Sequence, residues 1–287
     1  GWEFKAYVLG TLFYRFISEN LTDYINHLQA EAGVEGFDYT RMADEDAEAA
    51  RQQMVQEKGF FILPSQLFCT VCHTCEYDEN LNMTLANIFR EIEGSAIGTP
   101  SEDDMKGLFS DFNVDSTQLG GDVRTRNRLI AKVLLKVRDM NLGDFQSNKI
   151  DAFGDAYEFL MTMYASNAGK SGGEFFTPQE VSELLARITA ADGHEIRSVY
   201  DPACGSGSLL LKFSKTIGRN TPNLKYYGQE INPTTYNLCR INMFLHDINY
   251  DNFDIQLGDT LTDPKPRDFE PFDAIVSNPP YSTQWEG

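Results

Sequence analysis

Positive charge is what this sequence has least of: 24 Lys and Arg stand against 43 Asp and Glu, a net charge of −19 over 287 residues. The deficit is even, −10 over residues 1–150 and −9 over residues 151–287. That balance excludes a protein that holds a polyanion through bulk attraction. Cysteine is scarce too, five in all. An odd, low number excludes a disulfide framework and fits a reducing compartment, so a cytoplasmic location is expected. Long apolar runs are missing. The most apolar early stretch, Val8 to Ile17, is cut by Arg15 and falls short of the roughly 18 apolar residues that a membrane span needs. No signal-peptide pattern precedes it.

Three of the five cysteines cluster as Cys69, Cys72 and Cys75, with His73 inside the run. The spacing is both C-x-x-C-x-x-C and the C-x-x-C-H of haem attachment. A tetrahedral zinc site wants four ligands, usually as two separated pairs, and His27, His194 and His246 show no paired spacing. The expectation is therefore no metal, with Leu67, Phe68, Val71, Cys72 and Cys75 forming the buried stripe of a helix entered through Pro64 and Ser65.

The first half reads as helices joined by acidic loops. Residues 2–19 place Phe4, Tyr7, Val8, Leu12, Phe13, Phe16 and Ile17 near helical spacing. Residues 35–58 are polar and acidic, which predicts a loop followed by a solvated helix. Residues 82–92 return to the helical pattern through Met83, Leu85, Ile88, Phe89 and Ile92, and the Gly94 to Pro100 stretch breaks it. One segment departs from the acidity. Between Val123 and Arg138 there are six cations and no acid. Arg124, Arg128, Lys132 and Lys136 fall at i, i+4, i+8 and i+12, one basic stripe on a helix. The stripe is either a solvated face paired with the acidic surface or a ridge that faces phosphates or a partner.

The pattern resets between Asn141 and Asp151, which predicts two domains, 1–148 and 149–287. Past a helix over 152–164 and a small-residue loop, Ala165 to Gly173, strands and helices alternate. Strands are expected at 198–200, 225–231, 253–257 and 272–277, with helices at 208–217 and 233–246. The fold class is α/β, a helical N-terminal domain followed by a doubly wound parallel sheet. In such sheets ligands sit at the carboxyl ends of the strands.

Those ends carry the chemistry. The first strand runs into Asp201-Pro202-Ala203-Cys204-Gly205-Ser206-Gly207-Ser208. Two glycines allow a tight turn and close approach of a ligand, and the helix that follows offers N–H groups to an anion. The spacing is neither G-x-x-x-x-G-K-S/T nor the full G-x-G-x-x-G, which disfavours a P-loop ATPase. Glu230 closes the second strand, placed to accept hydrogen bonds from ribose hydroxyls, and Asp259 follows the third. The fourth ends in Asn278-Pro279-Pro280-Tyr281. Two prolines fix the backbone so that the Asn278 side-chain oxygen and the Pro279 carbonyl can converge on a planar exocyclic amine. Tyr281 supplies a face on which a base stacks for roughly 1–3 kcal/mol.

With these motifs the chain resembles the S-adenosylmethionine-dependent amino-methyltransferases of DNA: the Asp-Pro-Ala-Cys-Gly-Ser-Gly turn, the Gly-Gln-Glu-Ile-Asn segment and the Asn-Pro-Pro-Tyr exit. The run Gly173-Glu174-Phe175-Phe176-Thr177-Pro178 resembles that group's additional cofactor motif. Thr177 and Glu180 also form a capping box, with Pro178 at the first helical position. The helical first half, Leu63-Pro64-Ser65-Gln66-Leu67, the Asp155 to Phe159 helix and the Ala168 to Gly173 loop are similar to the modification subunit of type I restriction-modification systems.

The resemblance implies a Rossmann-like domain that transfers a methyl group from S-adenosylmethionine to N6 of a flipped-out adenine in DNA. Cofactor binding is then expected at Glu174, Phe175, Phe176, Thr177, Asp201, Ala203, Gly205, Ser206, Gly207, Glu230 and Asp259. The catalytic set is expected at Asn278, Pro279, Pro280 and Tyr281. The implied partners are DNA, a specificity subunit, a second modification subunit and, in some assemblies, a restriction subunit; no membrane is involved. A separate specificity subunit would also account for a catalytic chain that is acidic. Only four strands precede the last residues, so the sheet is expected to be incomplete within this stretch. A stand-alone DNA methyltransferase, an enzyme acting on glutamine amides or RNA guanine, and a non-catalytic scaffold remain open alternatives.

Overall fold

The computed structural model describes residues 2–142, 151–167, 177–191, 193–216, 224–265 and 271–280. It divides into two compact units, residues 1–156 and 157–287. The division falls within one helix, Asp151–Asn167.

The first unit is helical. Leaving single turns unlabelled, its helices are α1 Trp2–Glu31, α2 Arg51–Lys58, α3 Phe68–Thr74, α4 Leu81–Gly94 and α5 Val123–Arg138, followed by the start of α6, Asp151–Asn167. The expected first helix stops at residue 19, but α1 continues to Glu31 because Leu21 and Ile25 bury a further turn of its face despite the polar residues between them. Its middle is buried all round, from Leu9 to Ser18. Tyr14 lies edge-on to Phe68 and Phe89, and Phe89 stacks on Phe109 at 4.1 Å. Arg15, the charge that interrupts the apolar run, has a structural task. Its Nη1 donates to the carbonyls of Val137, Arg138 and Met140 at 2.7, 3.2 and 2.9 Å. Those carbonyls lie at the end of α5, where i to i+4 partners run out and Met140 N–H donates to the Val137 carbonyl at 3.2 Å; a cation there also offsets the negative end of the helix dipole. The cysteine stripe holds: Leu67, Phe68, Val71, Cys72 and Cys75 are buried, and Cys69 is exposed. Burial pushes the Cys72 thiol up to about 12. Met83 departs from expectation. It is 61% exposed, since the buried face of α4 is set by Leu81, Leu85, Ile88, Phe89 and Ile92.

The second unit contains the rest of α6 and then α7 Gln179–Thr189, β1 Ser198–Asp201, α8 Ser208–Thr216, β2 Lys225–Glu230, α9 Pro233–Leu245, β3 Phe253–Leu257 and β4 Ala274–Ile275. All pairings are parallel, in the order β3-β2-β1-β4. Strand order runs outward from β1 to β3, then returns past β1 to place β4 on its other side. The crevice between the ends of β1 and β4 is therefore a topological switch point, where open α/β sheets bind ligands. The fourth strand is shorter than the expected 272–277. Among the described residues it pairs with β1 alone, and the bond from Val276 N–H to the Tyr200 carbonyl at 2.9 Å carries the chain to the motif. α9 is capped by Asn232, whose side chain accepts from Thr235 N–H, and is buried along most of its length. Among the described residues, no helix is long and apolar enough to cross a membrane.

Candidate active site

The ends of β1, β2 and β3 are joined by a set of mutually satisfying hydrogen bonds. Glu230 accepts from Gly205 N–H through Oε2 at 3.1 Å and from Asn232 N–H through Oε1 at 2.8 Å. Its own carbonyl accepts from Gly258 N–H at 3.0 Å, and Cys204 N–H donates to the Gln229 carbonyl at 3.0 Å. Thr260 Oγ1 donates to the Pro202 carbonyl at 2.6 Å, which brings the loop carrying Asp259 onto the turn. Asp259 itself accepts from Leu261 N–H at 2.9 Å and is half-buried.

Asp201 lies beneath the turn, 1% exposed, and accepts from Ala203 N–H at 3.0 Å. Burial pushes its carboxyl up to about 7, with the nearby Glu230 charge adding to the rise. Burial raises the Glu230 carboxyl as well. Among the described residues neither acid forms an ion pair with a cation.

Gly207 shows why the turn has this composition. Its φ is +80°, and a Cβ there would sit 2.8 Å from Cys239 Sγ and 3.0 Å from Met243 Cε, both on α9. Gly207→Ala is expected to destabilise the second unit by about 2 kcal/mol, combining the left-handed backbone with overpacking. A denaturant midpoint unchanged from wild type would contradict it.

The start of α7 differs from expectation. Pro178 is the N-cap of α7 with φ −52° and ψ 139°, the helix starts at Gln179, and no side chain caps it. The capping box is therefore absent: extended Pro178 moves the start one residue on, so Thr177 is too early to cap. Its hydroxyl instead accepts from Asn278 Nδ2 at 3.3 Å, across 101 residues of sequence. That contact engages the amide nitrogen of Asn278. Gln179 Nε2 in turn donates to Glu158 Oε2 at 2.5 Å, tying the start of α7 to α6. Pro279 and Pro280 are exposed beyond Asn278. Glu174, Phe175, Phe176 and Tyr281 lie outside the described residues.

Two contributors carried no role in the sequence reading. Gln229, fully buried, donates to the Asp263 carbonyl at 2.8 Å and accepts from Lys265 N–H at 3.0 Å, clipping the post-β3 loop beneath β2. Asn242 Nδ2 on α9 donates to the Ser206 carbonyl at 3.0 Å and fixes the turn from behind. The available signal was a polar amide inside a buried strand or helix, a costly placement unless it is hydrogen-bonded.

The parallel sheet thus carries a glycine turn, an acid at the end of β1, of β2 and just after β3, and Asn-Pro-Pro at the switch point. The profile described as HsdM N-terminal domain matches residues 1–137, and that described as N-6 DNA Methylase matches residues 148–287. The chain belongs to the family of type I restriction-modification methylase subunits. It is 49% identical to the type I restriction enzyme MpnII methylase subunit of Mycoplasma pneumoniae, over all of this chain and 55% of that protein. The MjaVIII methylase subunit of Methanocaldococcus jannaschii is 37% identical over 54% of this chain and 27% of its own length. Among solved structures, the type I methyltransferase subunit from Streptococcus thermophilus superposes with a TM-score of 0.81 at 28% identity, covering 99% of this chain and 60% of that one. The chain thus spans little more than half of the methylase subunits it matches along its whole length.

Proposed function

We propose that this chain is the helical domain and cofactor-binding half of an adenine-specific DNA methyltransferase subunit, which transfers a methyl group from S-adenosylmethionine to N6 of adenine. The observation that carries the reading is the switch point, where β4 lies beside β1 and Asn278, three residues past β4, donates to Thr177 Oγ1.

The residues fit the cofactor. S-adenosylmethionine bears a sulfonium, an ammonium and a ribose diol. The turn offers two carboxylates raised by burial and paired with no cation among the described residues. Glu230, half-buried, would take the ribose: each carboxylate oxygen already accepts one N–H and keeps a second lone pair for a hydroxyl. Asp201 is sealed from contact, so it positions the turn and sets its field. Ala203, Gly205, Ser206 and Gly207 would line the methionine end, Asp259 would lie near the cofactor adenine, and Thr177 with Glu174, Phe175 and Phe176 would close over it. When bound, S-adenosylmethionine supplies an activated methyl group on its sulfonium.

The protein's part is to hold the acceptor. The target adenine must leave the base stack for its amine to be reached. Asn278 Oδ1 and the Pro279 carbonyl would then accept the two amine hydrogens, drawing the nitrogen lone pair out of conjugation, while Pro280 stiffens the exit and Tyr281 stacks on the base. Positioning and polarisation supply the rate, with no strong general base required. DNA sequence would be read by a separate specificity subunit, in an assembly with a second methylase subunit and, in some complexes, a restriction subunit. That division of labour suits an acidic catalytic chain and a cytoplasmic setting.

The test is methyl transfer by the full-length subunit, co-expressed with its specificity subunit, to DNA, RNA and peptide substrates. Transfer to DNA adenine alone is expected, and transfer only to RNA or peptide would overturn the reading. Thr177→Val removes the acceptor for Asn278 Nδ2, a hydrogen bond worth about 1 kcal/mol. A five- to tenfold loss of kcat at saturating cofactor is expected, with recovery in Thr177→Ser. An unchanged kcat in Thr177→Val would remove Thr177 from this role.

A further inference from the structure

The basic stripe foreseen on residues 123–138 is present on α5, and nothing in the site described above uses it. Arg124, Arg128, Lys132 and Lys136 are all exposed. Among the described residues none of the four forms an ion pair or a side-chain hydrogen bond. Arg138, next along, is paired with Asp139. Four unpaired cations in a chain with 43 acids need a reason, because like charges at i, i+4 disfavour the helix that carries them.

The ridge forms one wall of a groove of about 1260 Å³ within the first unit. The other wall is the turn after α3, with Glu76, Tyr77, Asp78 and Glu79. Asp78 is engaged, accepting from Asn80 N–H at 2.8 Å and Thr84 Oγ1 at 2.7 Å. Tyr77 stands on the lip, 84% exposed.

This deepens the reading of the chain as part of a DNA methylase subunit and rests on it. We infer that the α5 ridge is a DNA-backbone contact: Arg124, Arg128, Lys132 and Lys136 meet successive phosphates of a duplex lying along the groove. The four positions are about 6 Å apart along the helix axis and span about 18 Å. That length of duplex carries roughly ten phosphates on its two strands. The acidic wall opposite repels a polyanion, which confines it to the ridge, and Tyr77 is placed to meet a sugar edge. A protein partner fits less well, because interface cores are depleted of charge and built on apolar or aromatic anchors. Here the exposed face of α5 is a row of cations, with Val123 as its one exposed large apolar residue among those described. A contact of this kind adds affinity and register without sequence specificity, consistent with a chain whose overall charge cannot hold DNA.

The test compares wild type with Arg128→Gln/Lys132→Gln and Arg124→Gln/Lys136→Gln in the full-length subunit, co-expressed with its specificity subunit. DNA affinity is measured by titration at several salt concentrations. Each double variant is expected to reduce the slope of log affinity against log salt by about 2 for each methylase subunit that contacts the DNA, at about 0.9 per phosphate contact. Affinity near physiological salt should fall at least tenfold, while kcat at saturating DNA and recovery of the specificity subunit stay unchanged. The substituted side chains are exposed, so thermal melting should match wild type and separate a lost contact from a lost fold. Wild-type affinity and slope in both folded variants would overturn the assignment. Loss of the specificity subunit with an unchanged slope would also overturn it, giving the ridge to a protein partner. Wild type that fails to methylate DNA would instead sink the methylase reading.

Discussion

Asn278→Ala in the full-length subunit is expected to lower methyl transfer to DNA by about 10²–10³-fold, the range seen when one preorganised polar group at a reacting centre is removed. Cofactor binding should survive. Glu230 and the glycine turn are built from β1 and β2 and are hydrogen-bonded to each other, whereas Asn278 reaches the protein through Thr177 Oγ1. Truncation removes the acceptor for the amine and leaves the turn intact. Asn278→Asp is the informative companion. It keeps an acceptor oxygen, but it cannot donate to Thr177 when ionised, so it should also be impaired. Equilibrium binding of S-adenosylmethionine and single-turnover methylation of DNA, measured on the same preparations, check both halves. Retained turnover in Asn278→Ala would remove Asn278 from the role assigned to it.

The parts of this protein that sequence made legible are those fixed by short-range pattern. The alternation after residue 198 announced a parallel sheet, and the acids at the ends of β1 and β2 and just after β3 fell where they were expected because a strand's carboxyl end is a local feature. The cysteine stripe was readable for the same reason: Leu67, Phe68, Val71, Cys72 and Cys75 share one helical face.

Long-range pairing was not legible. The bond between Thr177 and Asn278 spans 101 residues, and the local pattern around Thr177 pointed instead to a capping box, which extended Pro178 prevents. Arg15 read as an interruption of an apolar helix, whereas its partners are carbonyls more than 120 residues away. The extent of β4 was overestimated because an apolar run carries no mark of how many partners it will find, and among the described residues β4 finds only β1. Gln229 sat in plain view between Gly228 and Glu230, yet its hydrogen bonds go to Asp263 and Lys265, a loop that its own segment does not foreshadow.

Asp201 connects stability to the site. In the unfolded chain its carboxyl titrates near the ordinary 3.8, and in the fold only near about 7, because it is buried beneath the turn with Glu230 close by. Between those values the folded state binds the extra proton, so stability falls as pH rises. The contribution is fully present below about pH 4 and lost as pH passes through 7. At 1.36 kcal/mol for each tenfold change, the whole span is about 4 kcal/mol. Asn at this position stays neutral at every pH and keeps an acceptor for Ala203 N–H. Asp201→Asn is therefore expected to match wild type near pH 4 and to exceed it by about 4 kcal/mol at pH 8, read from denaturant unfolding of both proteins across that range. Taking the difference cancels the titrating groups that do not interact with Asp201. Parallel curves for the two proteins would show that Asp201 ionises without cost. The same carboxylate explains why a cationic ligand suits the turn: positive charge placed there favours the ionised form that burial opposes. S-adenosylmethionine should accordingly raise the melting temperature of wild type more at pH 8 than at pH 6, and that pH dependence should weaken in Asp201→Asn, where Glu230 is the raised carboxyl that remains.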